Sequence, residues 1–133
     1  MINQFNEWLK KDVIRDMEHV YALMGSPISS EPEAMIDDAK VIEAWKARMV
    51  YLLAEATTWL DRASLFYLPT DTNKKELEKR IELKEKTADI REIKEKIEGL
   101  VDSIDSRISL VQSNLKYEST RPDAQVKDNR RPY

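Results

Sequence analysis

Few side chains in this 133-residue sequence have the type and spacing to do chemistry. Its one histidine, His19, stands between Glu18 and Val20. Catalysis by histidine needs a nucleophile and an orienting group, and no such set can be identified. There are no cysteines, so disulfides and thiolate metal sites are excluded. Asp37 and Asp38 are adjacent, and on a helix they point about 100° apart, too far to hold one ion. Asp102 and Asp105 share a helical face, but a hard cation wants about six oxygens, and a solvated face is the better reading. The chain has two glycines, too few for a phosphate-cradling loop. The expectation is no catalytic residue, no metal, no cofactor and no enzymatic activity.

Cations are the next candidates. Arg107 lies in IEGLVDSIDSRISLVQSNLKY, among Ser103, Ser106, Ser109, Gln112, Ser113 and Asn114. A polar but almost uncharged face of this kind suits a subunit contact or a sugar–phosphate backbone. It equally suits a surface helix in which Arg107 bridges Asp102 or Asp105. The end of the chain, STRPDAQVKDNRRPY, is basic, and Arg121, Lys127, Arg130 and Arg131 could hold phosphates while Tyr133 stacks on a base. A solubilising tail would look the same. Net charge is −3 overall, so any polyanion binding must be local.

The elements that would position these groups are helices. In the first segment Phe5, Leu9, Val13, Met17, Val20, Tyr21 and Met24 recur every three or four residues, which predicts an amphipathic helix over about 2–24, closed by Gly25-Ser26-Pro27. Ser30 with Glu33 reads as a capping box around Pro32 and opens a second helix, about 31–68. Met35, Ala39, Ile42, Met49, Leu52, Leu53, Ala56, Leu60 and Ala63 form its stripe, flanked by Trp45 and Trp59. After the turn Pro69-Thr70-Asp71-Thr72-Asn73 a third helix is expected over about 74–117.

That helix changes character along its length. Residues 74–98 carry nine basic and eight acidic side chains, with i,i+4 pairs such as Glu76–Arg80, Glu82–Lys86 and Glu92–Lys96. Its packing stripe reads Leu77, Ile81, Ala88 and then, more densely, Ile90, Ile93, Ile97, Leu100, Ile104, Ile108, Val111 and Leu115. The seven-residue spacing of Ile90, Ile97, Ile104 and Val111 favours coiled-coil pairing, and Gly99 marks either a close helix approach or a break. One short and two long helices are hard to seal alone, so the Ile90–Leu115 residues are assigned to a homo-oligomer interface. The fold class is all-α: an elongated hairpin or bundle of about three helices, a single domain over 1–118, then an extended or disordered basic tail over 119–133. No apolar run is long enough to span a membrane, and no signal peptide is evident, so the expected location is the cytoplasm.

Three segments resemble the recombination-mediator proteins of T4-like phages: WLKKDVIRD (Trp8–Asp16), WKARM with Lys46-Ala47-Arg48, and VDSIDSRISLVQ with Arg107. The resemblance implies a small helical ring-forming protein that binds single-stranded DNA and helps load a recombinase in place of the single-strand-binding protein. It implies DNA contacts at Lys46 and Arg48, and a host-cytoplasmic, phage-encoded setting. Two functions are therefore expected. The first is an oligomeric single-stranded-DNA-binding accessory of recombination or replication, using Lys46, Arg48, Arg107 and the tail cations. The alternative, favoured by the acidic balance, is a structural or regulatory protein-interaction module, such as a virion component or an inhibitor of a host protein, with no nucleic-acid contact.

Overall fold

Apolar residues at helical spacing, interrupted only where glycine, serine and proline cluster, dictate a chain of helices. The computed structural model describes residues 1–120, with side-chain surroundings as far as 117. The helices are α1 (Ile2–Trp8), a π-helical turn (Leu9–Val13), α2 (Ile14–Gly25), α3 (Pro32–Phe66), α4 (Glu76–Lys86) and α5 (Ala88–Thr120). The described residues form an all-α fold.

The first helix needs the π turn to keep its face. Trp8 and Val13 are both buried, yet five residues of regular α-helix would separate them by about 140°. One wider turn absorbs the extra residue and returns Val13, Met17 and Val20 to the side of Phe5 and Trp8. Lys10 and Lys11, inside that turn, are exposed. Deleting either one should convert the turn to regular α-helix without rotating the flanking segments. The expected change in stability by thermal unfolding is within about 1 kcal/mol, whereas a deletion inside α5 would put half its core face into water.

Contacts between helices fix their directions. Lys46 meets Asp105 and Asp38 meets Arg107, so α3 and α5 run antiparallel. Trp8 meets Glu55, Asp16 meets Arg48 and His19 stacks on Trp45, so α1 and α2 also run antiparallel to α3. α2 packs on α5 as well, which closes a three-helix bundle. Its core joins Phe5, Val20, Ile42, Met49, Ala56 and Ile97, each no more than 1% exposed. At one end Phe5, Trp8 and Trp59 form an aromatic cluster with ring centroids 5.7–6.1 Å apart, and the Trp8 indole N–H donates to Glu55 Oε2 at 2.7 Å. Phe5 and Trp8 thus add what the second and third helices lack.

Three expectations are corrected here. α3 begins after an extended Glu31 with no side-chain cap of its own, and Ser29 Oγ, not Ser30, accepts the Glu31 N–H. The third helix is not continuous: Thr87, at φ −102° and ψ 7°, separates α4 from α5. Its buried hydroxyl donates to the Leu83 carbonyl and accepts from Arg91, and these bonds pin the break. Gly99 does not break anything. It lies exposed inside α5, and an added Cβ would meet nothing within 4 Å. Gly99→Ala is therefore expected to raise stability by about 0.5–1 kcal/mol in chemical denaturation.

Candidate interaction surface

Among the described residues the cations assigned to DNA, Lys46, Arg48 and Arg107, are dispersed and occupied. Lys46 Nζ lies 2.6 Å from Asp105 on α5. Arg48 Nε donates to Asp16 on α2 at 2.7 Å, and its guanidinium sits 5.4 Å from the Tyr51 ring centroid. The Asp16 carboxylate holds the Arg48 pKa above its ordinary value. Two residues apart on α3, Lys46 and Arg48 point to opposite flanks and do not form one basic element. Each ties a neighbouring helix to α3.

Arg107 is structural. It is 8% exposed, and its guanidinium donates to the Ser26 carbonyl at 2.8 Å, to Ser26 Oγ at 3.3 Å and to Asp38 Oδ2 at 3.3 and 3.4 Å. It bridges neither Asp102 nor Asp105, and instead locks the α2–α3 connection against α5. A groove of about 580 Å³ opens beside it, lined by Met24, Ile28, Ser103, Ser106 and Leu110 among others, so the serine-rich face is exposed while the arginine beneath it is engaged. Arg121, Lys127, Arg130 and Arg131 lie outside the described residues, as does the tail assignment beyond Thr120.

The assigned oligomer stripe is core. Ile90, Ile97, Leu100, Ile104 and Val111 are no more than 3% exposed within the single chain. Ile93 and Ile108 are half-buried and pack on the same core, and Leu115 is half-buried as well. The seven-residue repeat is spent on α3 of the same molecule, because α1 and α2 cover the seam that two helices alone would leave open. The five buried side chains of the stripe present no free face to a partner.

A free apolar face lies elsewhere. α4 buries none of its residues, and Leu77 and Ile81, expected to pack, are 68% and 51% exposed. The reason is phase: the Thr87 N–H to Leu83 carbonyl and Arg91 N–H to Thr87 carbonyl bonds carry the helical phase across the break, so Ile81 and Ile90, nine residues apart, lie about half a turn out of register and cannot both face α3. The opposite side of α4 is taken by the 67–75 connection. There Lys74 Nζ bonds Glu82 Oε2 at 2.6 Å, and Lys86 lies 5.7 Å from the Tyr67 ring centroid. Their mutual attraction raises the Lys74 pKa and lowers that of Glu82. Glu82 is thereby diverted from the i,i+4 pair with Lys86, while Glu92 does pair with Lys96 at 3.1 Å.

Beyond the break the same outward face continues as a groove of about 360 Å³, lined by Ile81, Lys84, Ala88 and Arg91 with Glu85, Glu92 and Glu95 at its edge. At the end of α3, Leu65, Phe66 and Leu68 are also more than half exposed. Sequence periodicity put Leu77 and Ile81 in the core and did not single out Leu65, Phe66 or Leu68. The signal that could have found the surface was the mismatch in phase. Among the described residues no three His, Asp or Glu side chains gather as metal ligands, and no helix is long and apolar enough to cross a membrane. Comparison of the chain with protein families, curated proteins and solved structures found no match.

Proposed function

We propose that this chain is a non-enzymatic protein-interaction module that docks through the outward face of α4. The observation that carries the reading is that α4 is ordered as a helix yet buries no residue, while showing Leu77 and Ile81 to solvent. Burying two such side chains against a partner yields roughly 1.5–3 kcal/mol each, a gain the free chain forgoes. The engagement of Lys46, Arg48 and Arg107 by aspartates argues in the same direction, because a phosphate would have to displace a carboxylate at each one. An isolated exposed leucine needs no explanation, but a helix presenting two of its three apolar side chains outward on one face does.

The test compares wild-type and Ile81→Glu protein, both immobilised, as baits for proteins of the native source. In parallel a labelled single-stranded oligonucleotide is titrated with the wild type at two salt concentrations. The expected result is a bound protein retained by the wild type and lost by the variant, with no saturable DNA binding. Identical capture by both baits, or saturable binding to DNA that weakens steeply with salt, would overturn the proposal.

A further inference from the structure

The charges flanking the α4 stripe say what kind of partner it fits. We infer that the outward face of α4 pairs with α4 of a second copy of this chain, side by side and parallel. The inference rests on the reading of α4 as the docking surface and adds the partner's identity.

Leu77, Ile81, Lys84 and Ala88 follow the four–three spacing of a coiled-coil seam, and all four are exposed. One flank of that seam is acidic, with Glu78, Glu85 and Glu92 recurring at seven-residue intervals. The other flank offers Arg80 alone, because Thr87, one heptad on, is buried in the chain itself and Lys94, two heptads on, pairs with Glu98 at 3.7 Å. In a parallel pair the residue on one flank meets the opposite flank of its partner five positions ahead, which sets Arg80 against Glu85 of the second copy, twice by symmetry. In an antiparallel pair each flank meets its own kind, and Glu78 would face Glu85 across the seam. Like charges there oppose association; the parallel pair sets the two Lys84 side chains level in the seam, but its two Arg80–Glu85 pairs outnumber that one repulsion, so the flanks favour the parallel arrangement.

The geometry on the far side of α4 agrees. The 67–75 connection, held by Lys74–Glu82 and by Lys86 over Tyr67, leaves the seam uncovered. Arg80 and Glu85 are both exposed, so a reversal of either charge leaves the fold intact. The parallel alignment also places the two Thr87 breaks level, so the groove of one copy at Ala88 lies opposite that of the other.

Sedimentation velocity of the full chain across micromolar to millimolar concentrations tests this. The wild type is expected to shift from monomer to dimer as concentration rises. Arg80→Glu and Glu85→Arg, each with unchanged helicity by circular dichroism, are expected to remain monomeric at the same concentrations. Mixing the two variants equally is expected to restore the dimer, because both cross-pairs are then of opposite charge. A wild type that stays monomeric throughout overturns the second copy as partner, even where the Ile81-dependent capture of another protein persists. A dimer that forms but is not restored by mixing overturns the parallel pairing.

Discussion

Replacing Ile104 by alanine is expected to destabilise the folded chain by about 2–4 kcal/mol, by the same amount in dilute and concentrated solution. Ile104 is fully buried inside one molecule, in the seam between α5 and α3, and truncating it removes buried methyl and methylene groups and leaves a cavity. Close-packed neighbours recover only part of that space. Were the Ile90–Leu115 stripe a subunit interface, the same substitution would weaken association and leave the monomer's unfolding midpoint in place. Urea denaturation at two protein concentrations separates the outcomes. A midpoint shift that depends on concentration would return Ile104 to an interface.

Arg107→Met carries the second large effect, a loss of about 2–3 kcal/mol. The substitution keeps much of the apolar volume and removes every hydrogen bond the guanidinium makes. Asp38, with a quarter of its side chain exposed, then keeps its negative charge with its cation gone, and the Ser26 carbonyl loses a donor. Breaking one partner of such a pair is costly because the other remains charged, and the partial exposure of Asp38 is why the figure lies below that for a fully buried pair. Adding Asp38→Asn to Arg107→Met should recover part of the loss, since it removes the orphaned charge. The readout is the thermal midpoint with circular dichroism. A variant as stable as wild type would mean that Arg107 is free for an external anion after all.

The contrast between these two residues and α4 shows what the chain's pattern made legible. Three-to-four spacing placed Phe5, Val13, Met17 and Val20 on one face, kept together by the π turn between α1 and α2, and the α3 stripe from Met35 to Ala63, whereas Tyr21 of the first stripe is exposed. Heptad spacing correctly grouped Ile90, Ile97, Ile104 and Val111, but spacing alone carries no label for whose helix fills the seam. The run from Leu77 to Ile90 looked like one stripe only because both ends are apolar. Counting nine residues from Ile81 to Ile90 divides it into two opposite faces. Arg107 was conspicuous as a lone cation in a polar stretch, yet its partners, Ser26 and Asp38, lie 81 and 69 residues away in sequence, beyond what local patterning reports. The Lys-Ala-Arg element illustrates the same limit: a short basic motif does not reveal that Asp105 and Asp16 occupy its two cations.

Hydrogen–deuterium exchange of the wild type, recorded in dilute and in concentrated solution, tests the role of α4 most directly. The account predicts that amides of Glu76–Lys86 slow as concentration rises, while those of the α3 and α5 core exchange equally slowly in both. Protection that instead appears along Ile90–Leu115 would return that stripe to a subunit interface, and no change in α4 at any concentration would contradict its pairing with a second copy.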